Sequence, residues 1–154
     1  MSLRILTRKS KMGLLPVEKD VCLLLFETKK AQHACRLFLN AVKVHRGLSR
    51  REMSRFAWDL DAGKLEHGFR YSRSRFYRET RKTLISNGLL SLEARMIQLE
   101  ELELSPERKR RKSVVRKYVA VHQPITKRPP DGLNLPRLIW IVCEKWNREF
   151  FGET

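Results

Sequence analysis

What most constrains this chain is a helix start that can be read to the residue. Ser49-Arg50-Arg51-Glu52 is a capping box, in which the serine oxygen and the glutamate carboxylate each accept a hydrogen bond from the other residue's backbone N–H. Leu48 before it and Met53 after it are placed for a hydrophobic staple. A helix therefore runs from about residue 50 to 60, with Met53, Phe56, Ala57 and Leu60 on one face. Upstream, Ala31, Ala34, Cys35, Phe38, Ala41 and Val42 recur at three- and four-residue steps, which predicts an amphipathic helix over 29–46 that Gly47 ends. Pro16, with Glu18 and Asp20 after it, marks an earlier helix start. Whether 17–27 is a separate helix or joins the next one is open at this level.

Downstream, 61–63 and 67–68 read as loop. Ser72 or Ser74 can cap a further helix that ends at Asn87, where Gly88 fits a left-handed position. At ~100° per residue, Phe76, Tyr77, Thr80 and Leu84 form its core face. Ser74, Arg75, Arg78, Arg81 and Lys82 fall on the other side, with Glu79 the acid nearby. Arginine forks can bond guanine edges in a major groove or hold a phosphate; a merely solvated basic face is the alternative. Leu89, Leu90 and Leu92 begin a strand, whereas 93–104 fits helix and strand alike. Ser105-Pro106 breaks that stretch, 108–112 is a basic run, and 114–121 is β-branched and aromatic enough for a strand. A linker over 127–132 leads to an apolar helix over 136–150, with Asn134 as its cap.

Charge narrows the function. The 154 residues carry 33 Lys and Arg against 17 Asp and Glu, a formal charge of +16. Segment 108–128 holds nine basic residues and no acid. Nucleic acid is the commonest partner for such a domain, ahead of an acidic protein or an anionic membrane. The longest apolar run is six residues, 138–143, far below the ~20 of a membrane span. Residues 21–26 are too short for a secretory h-region. Three widely spaced cysteines fit a reducing cytosol, so a cytoplasmic, nucleoid-associated protein with no membrane partner is expected.

Three segments together resemble a known pattern. Leu48-Ser49-Arg50-Arg51-Glu52-Met53-Ser54-Arg55, Ser72-Arg73-Ser74-Arg75-Phe76-Tyr77-Arg78-Glu79-Thr80 and Leu84-Ile85-Ser86-Asn87-Gly88-Leu89-Leu90 are similar to a winged helix-turn-helix domain. The resemblance covers roughly residues 29–122. It implies a mainly α fold with a small β-hairpin (α+β) and extra N- and C-terminal helices. Residues 1–15 are then a basic flexible arm, 16–126 the DNA-binding domain, and 127–154 a linker and C-terminal helix. The recognition helix would use Ser74, Arg75, Arg78, Arg81 and Lys82, and the support helix Arg50 and Arg51. The wing would use Arg108, Lys109, Arg110, Arg111 and Lys112, followed by Arg116 and Lys117. Two departures stand out: 61–71 is 11 residues long against ~3–4 for the usual turn, and the stretch from Leu89 to the wing tip is long.

The C-terminal helix is apolar nearly all round, with Trp140, Ile141, Trp146 and Phe150 on different sides. Core packing competes with a homodimer interface built from those four residues, and the dimer is the expectation, matching two-fold related half-sites. An enzyme is not expected. His33 and Cys35 point to different helix faces, and no metal or cofactor site emerges. His67-Gly68-Phe69-Arg70 is similar to the HxxR element of tyrosine recombinases at two positions only, and Glu100, Glu101 and Glu103 lack a histidine partner. The expected function is sequence-specific binding of double-stranded DNA, as a transcriptional regulator or a replication or maintenance factor of a microbe, plasmid or virus. A basic RNA-binding module is the alternative, and a DNA-processing enzyme the third reading.

Overall fold

The computed structural model describes residues 20–97, 113–124 and 134–152. Its first helix, α1 (Val21–Leu25), is separate from α2 (Lys29–Val44), because Thr28 supplies α2 with its own cap and accepts from the Ala31 N–H at 3.2 Å. The α2 face with the apolar spacing is the buried one: Ala31, Ala34, Cys35, Phe38 and Val42 are all within the core. Gly47, at φ +111°, turns the chain out of α2 into the two-residue strand β1 (Leu48–Ser49). A Cβ there would lie 2.8 Å from Val119 Cγ1 and 3.0 Å from the Tyr118 carbonyl, so glycine alone admits the neighbouring strand this closely.

Both hydrogen bonds of the capping box are present at the start of α3 (Arg50–Ala62), at 3.2 and 2.8 Å. The helix runs two residues past the expected end and stops at Gly63, φ +73°. After a loop, Ser72 caps the next helix by accepting from the Arg75 N–H. That helix is composite: an α-turn, α4 (Arg73–Arg75), a π segment (Phe76–Arg81) and a final α portion, α5 (Lys82–Ser86). The chain then reverses through Gly88, φ +73°, into β2 (Leu90–Ile97). The ambiguity over 93–104 resolves as strand through Ile97; residues 98–112, with the whole basic run 108–112, lie outside the described residues.

Strand β3 (Ser113–Ala120) is central, pairing antiparallel with β2 on one side and β1 on the other, in the order β1-β3-β2. Leu92 faces Tyr118 across one ladder, and Leu48 faces it across the other. The fold is thus mostly helical with a small antiparallel sheet. Its centre is a triangle of phenylalanines, one from each main helix: Phe38, Phe56 and Phe76, with centroids 5.1 to 5.4 Å apart and rings tilted or edge-on. These geometries suit the aromatic quadrupole, and each ring removes a large apolar area from water.

The last helix, α6 (Asn134–Phe151), already includes Asn134 and belongs to this core. Trp146 is fully buried, donates its indole N–H to the Val121 carbonyl at 2.9 Å and packs on Phe150 at 4.4 Å. Asn147, also buried, donates to the Gln123 carbonyl and accepts from its N–H. Arg36 of α2 ion-pairs with both Asp20 and Glu149, which ties α1, α2 and α6 together. Burial opposes its charge, but the two carboxylates hold it protonated beyond its ordinary range. These contacts pack α6 against α1, α2 and the end of the sheet. Trp146 and Ile141, read from sequence as dimer-interface residues, are covered within the chain itself. Trp140 and Phe150 are half-buried, and Phe150 packs against the core cluster.

Candidate nucleic-acid interface

The composite helix carries five of the side chains that sequence periodicity places on one basic face, and the structure divides them. Its core side is as expected: Phe76, Thr80 and Leu84 are fully buried and Tyr77 is half-buried. A π segment has wider turns, so each residue advances by less than the ~100° of an α-helix. Residues four apart then stay in line, and Ser74, Arg78 and Lys82 form one exposed row.

Arg75 and Arg81 are committed elsewhere. Arg75 pairs with Glu79 at 3.4 Å and lies 5.0 Å above the Tyr71 ring, and the Tyr71 hydroxyl donates to Glu79 at 2.5 Å. Burial alone would raise the Glu79 pKa, but the hydroxyl and guanidinium beside it hold it below the usual carboxylate range. Burial and the same carboxylate push Tyr71 up to about 12. Arg81 turns the other way and donates to the Tyr118 hydroxyl at 2.9 Å, flanked by the rings of Tyr77 and Tyr118. Burial opposes ionisation of Tyr118, yet the hydrogen-bonding guanidiniums of Arg81 and Arg50 bring its pKa below the ordinary tyrosine value. One hydroxyl on β3 thereby joins the start of α3 to the composite helix. Sequence periodicity cannot find this hub, because it depends on residues 50, 81 and 118 meeting through the tertiary fold.

Of the support-helix pair, Arg50 and Arg51 are both exposed, and Arg50 also reaches Tyr118. Arg116 and Lys117 do not share a surface. Successive strand side chains point to opposite faces, so Arg116 lies on the Tyr118 side while Lys117 sits between Ser49 and Glu93 on the other. Arg116 is exposed and Lys117 half-buried. The five basic residues 108–112 lie outside the described residues.

A cleft of about 990 Å³ borders the row. Arg78 and Lys82 line one wall; Leu25 and Phe26 of the α1 end, with Ile139 and Val142 of α6, line the other. The cationic row is thus flanked by an apolar shelf. The HxxR-like stretch has a structural use, since the Arg70 guanidinium donates to the Asp61 carbonyl at 2.8 Å and holds the end of α3. Among the described residues no group of three or more His, Cys, Asp or Glu is arranged to hold a metal, and no helix is long and apolar enough to cross a membrane. No protein-family model, curated protein or solved structure matches the chain.

Proposed function

We propose that the chain binds duplex DNA through a winged-helix arrangement. The observation that carries this is the exposed row Ser74, Arg78 and Lys82 on the composite helix that follows the capped helix α3. Helix, short strand, helix, helix and two-stranded hairpin follow in that order, and the sheet order β1-β3-β2 suits a winged helix. A helix ~10–12 Å across with its side chains fits a major groove ~12 Å wide. In that pose Ser74, Arg78 and Lys82 meet base edges. Arg75 and Arg81 are positioning residues: one is held by Glu79 and the other by Tyr118. Arg50 and Arg116 flank the helix, where a phosphate backbone would run. The π segment supports the same reading, since such wide turns concentrate at functional sites.

Fluorescence anisotropy of labelled duplex DNA over a salt series tests the proposal. The log–log slope of affinity against salt is expected to reach about −0.9 per phosphate neutralised. Arg78→Ala is expected to narrow the gap between preferred and random duplexes, by roughly 1–3 kcal/mol for each base edge the side chain no longer bonds. Affinity that hardly changed with salt would sink the proposal, and preferential retention of duplex RNA would reassign the partner.

A further inference from the structure

We propose that the outer face of α3 is a second nucleic-acid contact, built for an unpaired strand of DNA. Trp58 carries the proposal. It is 57% exposed, while Trp146 is fully buried, so this large ring is not a core residue. One of its faces is stacked by the Arg73 guanidinium, 3.9 Å from the ring centroid. The Arg73 backbone N–H donates to the Asp61 carboxylate at the start of that helix. The indole thus sits at the surface with a cation over one face.

Arg51 and Arg55 complete the face. They lie seven and three residues before Trp58, so helical spacing puts all three on one side of α3. Both arginines are exposed. The stretch from residue 51 to 58 spans ~10 Å at ~1.5 Å per residue, the length of about three stacked nucleotides at ~3.4 Å each. Glu52, the acid within it, is turned back onto the Ser49 N–H at 2.8 Å and capping occupies its carboxylate. Asp59 is one ~100° step round the helix from Trp58.

Charge complementarity selects a polyanion, and the tryptophan selects among polyanions. In a duplex the π-faces of the bases are stacked inside, so Trp58 would find no partner there. An unpaired strand offers phosphates to Arg51 and Arg55 and a free base to the ring, the combination that holds single strands without sequence preference. An acidic protein segment would use the arginines and leave the indole idle. This surface meets the start of the composite helix at Arg73 but uses none of the row Ser74, Arg78 and Lys82, so separate substitutions test the two contacts.

The test uses the full chain and a fluorescently labelled oligothymidine, with a blunt duplex and polyglutamate measured alongside. Trp58→Ala is expected to weaken oligothymidine binding by roughly 10-fold, a typical loss for one stacked base. Duplex affinity is expected to fall by less than oligothymidine affinity, since the contact of Trp58 with the composite helix is to Arg73, outside the row Ser74, Arg78 and Lys82. Trp58→Phe should restore most of the loss, since it keeps a π-face. Arg78→Ala should do the reverse, weakening the duplex complex and sparing the oligothymidine complex. If Trp58→Ala bound oligothymidine as tightly as the parent, the proposal would fail. Equal losses on polyglutamate and oligothymidine would also overturn it, and would identify the face as a general acidic-partner site. Absence of duplex binding would defeat the winged-helix proposal and leave the oligothymidine result to stand or fall by itself.

Discussion

Replacing Trp146 by alanine distinguishes a structural α6 from an accessory one. The ring is fully buried, its indole N–H bonds the Val121 carbonyl at 2.9 Å, and Phe150 leans on it at 4.4 Å. Truncation of a buried tryptophan costs roughly 3–5 kcal/mol, through forfeited transfer energy and the cavity left behind. The Val121 carbonyl keeps a second donor, Gln123 Nε2 at 2.9 Å, so removing the indole leaves no orphaned acceptor. Small domains are stable by roughly 5–15 kcal/mol, which makes the loss a large share of the total. With a urea dependence of about 2 kcal/mol per molar, the denaturation midpoint should fall by roughly 2 M. The assay is urea unfolding followed by far-ultraviolet circular dichroism at two protein concentrations. A peripheral dimerisation helix would behave differently: the midpoint would vary with concentration in the parent and scarcely move in the variant. An unchanged midpoint in Trp146→Ala, or a truncation at residue 133 that unfolded like the parent, would refute the assignment of α6 to the core.

Other consequences follow from single residues. Gly47→Ala should destabilise by roughly 1–3 kcal/mol, because it forces a left-handed alanine against Val119 and the Tyr118 carbonyl; thermal melts would show it. Ultraviolet titration of the three tyrosines should give one phenolate forming below the ordinary value and one near 12, with Tyr118→Phe removing the first and Tyr71→Phe the second. Glu79 has a lowered folded-state pKa, so its stabilisation is complete above the ordinary glutamate pKa and disappears as pH falls through the folded value. Urea midpoints over that acid range should decline less steeply in Glu79→Gln than in the parent. Tyr71 has the opposite sign: its contribution is complete below ~10 and is lost as pH rises towards about 12, a decline that Tyr71→Phe should blunt.

Local chemistry makes much of the fold legible. The capping box at Ser49 and Glu52, the Gly63 and Gly88 turns and the core faces of α2 and α3 are all properties of short windows, where a side chain meets a backbone group three or four residues away. The strands beginning near 90 and 114 show the same kind of local signal. What cannot be read depends on distant residues. A uniform ~100° step puts Arg75, Arg78, Arg81 and Lys82 on one face, but the π segment and the pull of Glu79 and Tyr118 draw two of them away. The same limit explains α6. Four large apolar side chains on one helix look too many for one small core, because nothing local shows that Val121, Gln123 and Arg36 converge to receive it.

The distribution of partners among the arginines bears on function more than their number does. Arg36 has two carboxylates, Arg75 has one, Arg81 has a phenol, Arg70 has a carbonyl and Arg73 has an indole. Each of these cations holds an element in place through a partner within the chain. Arg51, Arg55, Arg78 and Lys82 are exposed on helices whose backbones those contacts have fixed. Rigid elements with projecting cations lose less conformational entropy on binding a polyanion than a mobile basic tail does. Under the proposed function the internally paired arginines would act on binding indirectly, by fixing where the exposed ones stand. That division makes Arg81→Lys a sharper probe than Arg81→Ala. Lysine keeps the charge but cannot reproduce the planar fork that bonds Tyr118 and lies between two rings. If Arg81 positions the helix, Arg81→Lys should weaken discrimination between duplex sequences while the salt slope stays the same. A variant that kept full discrimination would return Arg81 to the role of a simple surface charge.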